Sequence, residues 1–373
     1  MKILAISTDR KVFEESSAVR SRLLDYGRLV DELHVIVFTK KSQGFHEDSF
    51  AHNIFLYPTN ARTRWGYIYH AVREGTKLKR RGIKIDVVTA QDPFEVGFVA
   101  FILSRVLKAK LHLQVHTDFL SPYFSRESVI NRKRVFLAKF LLRRADAIRV
   151  VSERIKRSLQ GVTNTETLIA VLPIFVDVEK YTNAKISHSL KVKYPQFEKH
   201  ILMASRLSTE KNISLAIRAM KDVVIKYPKT GLIITGSGHE EGYLKKLVHD
   251  LGLVKNIIFE EWQNNLASYY KSADMFLITS NYEGYGMTAI EALASECPVV
   301  MTDVGCAGYV VLHGENGLVV PVGDKEALER AIARVISGGV NLTATLPKLP
   351  TKEEYLAGYK KSWEDARKKA YFC

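Results

Sequence analysis

Residues 283–294 read EGYGMTAIEALA, with two carboxylates, Glu283 and Glu291, eight positions apart. Gly284 and Gly286 stand between them, and a run of good helix formers follows. The pattern predicts a helix that starts near Gly286. The first turn of such a helix carries unpaired backbone N–H groups and the positive end of the macrodipole. Glycines let an anion approach that backbone closely, so a diphosphate can be held there without a dedicated cation. Glu283 would sit in the loop just before, able to point at whatever the phosphates carry. Glu291 falls more than a turn into the helix, among Ile290, Ala292 and Leu293. A carboxylate so placed needs hydrogen-bond partners. A ribose diol would supply two donors; a neighbouring loop or solvent is the plainer alternative.

Two further stretches suit phosphate chemistry. ASRLSTEKN (204–212) closes an apolar run with Arg206 and brings Lys211 five residues later. Cations at the C-terminal end of a strand, near a helix start, suit a leaving diphosphate, though two cations in a polar turn are also what a solvated surface looks like. GSGHEEG (236–242) follows the apolar run LIIT with the spacing G-x-G-x-x-x-G, beginning at Gly236. That spacing fits a phosphate-binding turn and a plain tight turn equally well.

The elements that must position these residues are legible as short apolar runs alternating with helical patterns. KILAIS, HVIVFT, DVVTA, LHLQVH and AIRVV read as strands in the first half; ILMAS, LIITG, IIFE, MFLIT, PVVMT and GLVVP read as strands in the second. Most are apolar throughout, as parallel strands covered on both faces are. The β–α–β rhythm predicts two Rossmann-like, doubly wound α/β domains, as does a length of 373 residues. A weakly periodic stretch at 173–198 separates the two series, and a helical pattern at 352–370 follows Pro347 and Pro350. The expected domains are 1–180 and 181–350, with 351–373 as a closing helix.

The formal charge is +15, and it is uneven: residues 1–180 hold 31 Lys and Arg against 19 Asp and Glu. The first half therefore faces an anionic partner or carries a solvated basic surface. INRKRVFLAKFLLRRADAIR (130–149) interleaves basic residues with Phe136, Phe140 and leucines, which suits a helix lying on anionic lipid or a core helix with a basic outer face. The three cysteines, Cys297, Cys306 and Cys373, show no metal-ligand spacing and imply no disulfide framework, as expected in a reducing compartment. MKILAIS is too short for a signal peptide, and VGFVAFILSRVL (96–107) is too short to span a bilayer, so a cytoplasmic or peripheral membrane location is expected. No D-x-D triplet and no Walker A loop occurs.

The order SRLSTEKN, ITGSGHEEGYLKKL, ADMFLITSNYEGYGMTAIEALASECPVVMTDVG, ENGLVVPVGD resembles the C-terminal half of the retaining glycosyltransferases of family 4, which have the GT-B fold. Residues 200–325 carry the resemblance, with the E-x7-E spacing met by Glu283 and Glu291. SWEDARKKAYFC resembles the closing helix that crosses back to the first domain. The first half matches more loosely: LHLQVHTDF (111–119) resembles the segment with a donor-contacting histidine, here His116, followed by Asp118, which can cap a turn. VLPIFVD (171–177) has Ile174-Phe175 where the family usually has Asn-Gly.

The resemblance implies two domains facing a central cleft and a hexosyl transfer that retains configuration without a metal. The donor would be a UDP- or GDP-sugar, and no other cofactor is implied. His116, Glu283, Arg206 and Lys211 would carry catalysis. Arg206, Lys211, Gly236 and the loop Glu283, Gly284, Tyr285, Gly286, Met287 would hold the donor diphosphate and sugar, and Glu291 the ribose. The acceptor would be a glycan or a lipid-linked sugar, with an anionic membrane surface as partner and no nucleic acid. DRKVFEESS replaces the family's first Gly-Gly turn, so it leaves the acceptor undefined, and VGCAGYV (304–310) places Cys306 and Ala307 where they would narrow the sugar pocket. A glycoside hydrolase is disfavoured because both glutamates lie on one short segment. A non-catalytic nucleotide-sugar sensor is the remaining alternative.

Overall fold

A computed structural model describes residues 1–263 and 265–368. Two compact units form: Met1–Pro173 together with the chain from Pro350, and Ile174–Leu349. The strands of the first unit are β1 (Lys2–Ser7), β2 (Glu32–Val37), β3 (Asp48–Phe50), β4 (Ile54–Pro58), β5 (Val87–Ala90), β6 (Lys110–Val115), β7 (Ala147–Val150) and β8 (Leu168–Val171). They form one sheet in the order β3-β4-β2-β1-β5-β6-β7-β8. Every pairing is parallel except β3 with β4. The second unit has β9 (Lys199–Ala204), β10 (Thr230–Thr235), β11 (Ile257–Glu260), β12 (Met275–Ile278), β13 (Val299–Thr302) and β14 (Gly317–Val320), all parallel, in the order β11-β10-β9-β12-β13-β14. Both sheets are doubly wound, as the apolar runs predict.

Strand composition follows burial. β6 and β10 are buried along their whole length; β10 is apolar through its middle, whereas β6, with the sequence KLHLQV, alternates and buries Lys110, His112 and Gln114 on one face. Three strands escape the sequence pattern. β3 is three residues long and polar at Asp48 and Ser49. β4 ends on Pro58, which reads as a breaker, but β3 reaches only as far as Leu56, so no partner faces Pro58 on that side. β8, with the sequence LIAV, is half-exposed and ends just before Leu172-Pro173.

The longer helices are α1 (Ala18–Gly27), α2 (Gly66–Arg80), α3 (Glu95–Leu107), α4 (Val129–Leu142), α5 (Ile213–Lys226), α6 (Glu241–Asp250), α7 (Met287–Ala294), α8 (Lys325–Ile336) and α9 (Lys352–Lys368). The basic segment is a helix only to Leu142; its AIR residues begin β7 instead. In α4, Ala138, Leu141 and Leu142 are buried, while Phe136 is 77% exposed beside the exposed Arg132 and Lys133. In the second unit α5 and α8 pack together over an aliphatic core that includes Ile217, Met220, Leu328 and Ile332.

α9 packs on β6 and β7, so the first unit is completed by residues that follow the second in the chain. Tyr359 stacks on Tyr26 of α1 at 4.5 Å, and Trp363, 2% exposed, meets both rings edge-on. Cys373 lies outside the described residues. No helix among the described residues is long and apolar enough to cross a membrane.

Candidate active site

In an open parallel sheet the ligand crevice lies beyond the strand C-termini, where strand order reverses. In the second unit that point falls between β9 and β12, since the chain winds outward from β9 through β10 to β11 and then returns to β12. β9 feeds Ser205 and Arg206, then a short 3-10 turn, Thr209–Lys211. Asn212, in the left-handed region at φ 45°, turns the chain into α5. β12 feeds Thr279, Ser280 and the glycine loop. The Thr279 hydroxyl bonds the carbonyls of Lys211 and Asn212 at 3.0 Å, and the Asn281 amide N–H donates to the Glu210 carbonyl at 2.8 Å. The two strand ends are thus tied into one platform.

The platform joins Lys211 to Glu283, 72 residues apart. Lys211 Nζ lies 2.6 Å from Glu283 Oε1, with both side chains less than a fifth exposed. The same oxygen accepts from Ser280 Oγ at 2.7 Å. Arg206 is 75% exposed and pairs with Glu210 at 2.9 Å. Each cation of the ASRLSTEKN stretch therefore has a carboxylate partner, which the sequence alone does not show. The reason is electrostatic: a largely buried ammonium loses hydration and requires a counter-charge. An ammonium has three donors, and Glu283 occupies one.

Beside the pair lies a cavity of about 310 Å³ lined by Ser205, Arg206, Lys211, Trp262, Glu283 and Thr288, among others. It sits against the start of α7, where Gly286 is in the left-handed region at φ 91°. Among the described residues no acceptor pairs with the amide N–H groups of Gly286, Met287 and Thr288, which is what the start of a helix requires. Gly284 is partly exposed in the loop, whereas Tyr285 is buried and its phenol is raised by that burial. The buried Cys306 sets its Sγ 3.9 Å from the Gly286 carbonyl, so it packs beneath the turn, and Ala307 is buried next to it.

The remaining expected residues are placed differently. Glu291 does not line the cavity; its carboxylate accepts from the Tyr270 hydroxyl at 3.2 Å and from Tyr181. Burial raises its pKa, and the two phenols oppose that rise. Gly236 is buried, and its φ of 143° suits glycine alone; an added Cβ would collide with the Ser205 carbonyl oxygen. It holds two backbones in contact and does not face the cavity. His116 lies in the first unit, one residue past β6 and so one strand away from the β1–β5 reversal point. Its Nε2 is 3.0 Å from Gln114 Oε1. Burial first, then the Arg149 guanidinium, push its pKa down to about 3. The Asp118 carbonyl accepts from the Ser121 amide, so Asp118 closes a turn, and burial raises its carboxyl. Cys297 is buried in the core at the entry to β13, with its thiol raised by burial.

Three cavity residues were missed from the sequence. Trp262, 56% exposed, follows β11 in the run EEWQNN and offers a flat apolar face at the rim. Ser280 stands three residues before Glu283 and orients it. Thr279 ties the loops together. A lone tryptophan at a strand end was the one visible signal. No group of three or more His, Cys, Asp or Glu side chains among the described residues could hold a metal ion.

Two family models match the chain one after the other: Glycosyltransferase Family 4 over residues 27–180, and Glycosyl transferases group 1 over residues 188–348. The chain is a GT-B-fold protein related to these two groups of glycosyltransferases. A glycosyltransferase of Methanocaldococcus jannaschii is 32% identical over 195 residues, covering 50% of each protein. The alpha-monoglucosyldiacylglycerol synthase of Streptococcus pneumoniae is 28% identical over 58% of this chain and 52% of that protein. These matches span about half the length of both curated relatives. Among solved structures, Anabaena HepE in complex with UDP-glucose has the same fold, with a TM-score of 0.69 at 18% identity over 99% of this chain and 95% of that one.

The first and last of the three glycines of GSGHEEG should respond oppositely to substitution. Gly236→Ala should destabilise the protein by about 2 kcal/mol, the cost of a strained backbone. Gly242→Ala, inside α6 with nothing within 4 Å, should stabilise it by roughly 0.5–1 kcal/mol. Urea midpoints of the two variants measure both effects.

Proposed function

We propose that the protein transfers a glycosyl group from a nucleoside-diphosphate sugar to an acceptor hydroxyl, with retention of configuration and no metal. The observation that carries this reading is the cavity at the β9–β12 reversal point, which collects Arg206, Lys211, Glu283 and the unpaired amides at the start of α7. The HepE structure holds UDP-glucose on the same fold, which favours UDP over GDP as the first donor to test. The base would stack on Trp262, and the diphosphate would lie against the α7 amides and Arg206. Lys211 would share its ammonium between Glu283 and a phosphate oxygen, and Glu283 would bind sugar hydroxyls. Glu291, engaged by two phenols, would reach a ribose only by exchanging one of them. His116 would contact the sugar.

In the reaction the bond from the anomeric carbon to the phosphate oxygen breaks while the acceptor oxygen bonds to the same face. The acceptor proton passes to the departing phosphate. The barrier is the separation of a cationic ring from a diphosphate gaining charge, and preorganised donors at the diphosphate lower it. Lys211→Ala should slow nucleotide release from the donor roughly a hundredfold. A panel of nucleotide sugars, scored first by thermal shift and then by released nucleotide, tests the reading. Binding without release would instead favour the non-catalytic sensor.

The first unit supports an anionic acceptor. A concavity of about 430 Å³ is lined by Lys41, His46, Asn60, Arg62 and His70 and, among the described residues, by no carboxylate. The adjacent acids are committed elsewhere, Glu47 to Arg81 and Asp48 to Arg20. Replacing Lys41 and Arg62 together by Ala should raise the KM for a phosphate-bearing acceptor at least about tenfold; an unchanged KM removes this acceptor reading. The exposed Val129 and Phe136 of α4, which flank Arg132 and Lys133 on one helix face, favour peripheral contact with an anionic membrane. The diacylglycerol named for the pneumococcal relative is in keeping with a lipid-linked acceptor. The native protein should float with vesicles containing phosphatidylglycerol, and Phe136→Ser with Lys133→Ser should not; a native protein that stays in the pellet ends the membrane reading.

A further inference from the structure

His112, Gln114 and His116 follow one another at every second position through β6 and just beyond it, so all three share one face of the sheet. Arg149 stands directly opposite Gln114 on β7, and Thr89 directly opposite His112 on β5. α9 covers this region with Tyr359. The result is a polar chain beneath a helix, with Gln114, Arg149 and His112 each 2% exposed or less.

Arg149 sets the orientation of the Gln114 amide. Its Nη1 donates to Gln114 Oε1 at 2.8 Å and its Nη2 to the Leu172 carbonyl at 3.0 Å. A guanidinium only donates, so the Gln114 amide must turn its oxygen toward Arg149. Its nitrogen then donates to Thr89 Oγ1, 3.2 Å away, and Thr89 Oγ1 in turn lies 2.8 Å from His112 Nδ1. Gln114 Oε1 also accepts from the Tyr359 hydroxyl at 3.1 Å and lies 3.0 Å from His116 Nε2. A carbonyl oxygen has no hydrogen to give, so the hydrogen in this last bond belongs to His116 Nε2. Arg149 Nη1 lies 3.5 Å from the same nitrogen and could donate only to an unprotonated Nε2, so the two contacts compete and the shorter one, to Gln114 Oε1, favours the Nε2–H form; Arg22 adds to the positive field. Both positive charges oppose a second proton on the ring.

Arg149 has no carboxylate partner among the described residues; its charge rests under the Tyr359 ring, 4.7 Å from the centroid. A buried charge without a counter-ion is costly, and an apolar residue at the same place would usually be cheaper. Packing alone therefore does not account for it.

We propose that Arg149 is a positioning residue: through Gln114 it holds His116 neutral in the Nε2–H tautomer, so that the ring offers Nδ1 to the sugar as a hydrogen-bond acceptor. A sugar hydroxyl would donate to that nitrogen. The imidazolium and the other tautomer could not accept there. The inference rests on the reading that His116 contacts the transferred sugar. Tyr359 makes the geometry dependent on α9.

Two-bond ¹H–¹⁵N correlation spectra of the native protein, without donor, read the tautomer directly. The expected result is a protonated Nε2 and an unprotonated Nδ1 at His116, unchanged down to about pH 5. In Arg149→Met the signature should become a mixture, the His116 titration should move up by about one pH unit or more, and kcat should fall about tenfold. Gln114→Leu should give the same mixed signature and serves if Arg149→Met does not fold. A native Nδ1–H tautomer overturns the proposal, as does an Arg149→Met protein with native signature and native kcat. A native Nε2–H signature together with no nucleotide released from any donor leaves the tautomer standing and sinks the transferase reading; turnover with an Nδ1–H tautomer does the opposite.

Discussion

An ammonium and a carboxylate, 2.6 Å apart and mostly out of water, join two loops that the chain makes 72 residues apart. The candidate site is organised around this pair. Lys211 is fixed because the 3-10 turn after β9 hangs from Thr279 and Asn281. Glu283 is fixed because Ser280 and Lys211 share one of its oxygens. Neither group would tolerate its half-buried place alone, since breaking such a pair leaves an uncompensated charge. The pair also alters how the site meets an anion. With each local cation already matched by an acid, the uncompensated positive potential comes chiefly from the peptide dipoles at the start of α7, which do not depend on side-chain protonation.

The first unit uses the opposite arrangement. Arg149 is buried with hydrogen bonds but, among the described residues, no counter-ion, and an aromatic face takes part of its charge. Such an arrangement is tolerable because a guanidinium is delocalised and weakly hydrated compared with an ammonium. What it gains is direction: a donor-only group fixes which end of the Gln114 amide faces it. The chain ends at His112, whose Nε2 has no partner among the described residues.

Much of this was legible in the primary structure, for reasons that differ by element. Strands buried on both faces often announce themselves by apolar runs, and β9, β10 and β12 were legible in this way. β4 was lost because Pro58 reads as a breaker, and only the short reach of β3 makes it harmless. The left-handed conformation of Gly286 emerged only in the structure, whereas the helix that starts just after Gly286 followed from its run of good helix formers. The partners of charged groups did not: Lys211 with Glu283, Arg206 with Glu210 and Glu291 with Tyr181 and Tyr270 are contacts that a linear pattern does not encode. Trp262 and Arg149 stayed hidden because a single aromatic or a single arginine in an apolar run has many ordinary explanations.

The placement of α9 has a consequence for how the polypeptide is born. β7, with Arg149, leaves the ribosome about two hundred residues before the helix that shelters it, a delay of roughly ten to forty seconds at ordinary elongation rates. Through that interval the second unit can fold on its own, while the earlier one waits with a charged strand uncovered. The half synthesised first is thus the half finished last, and its exposure to proteases and chaperones is set by translation speed as much as by its own stability.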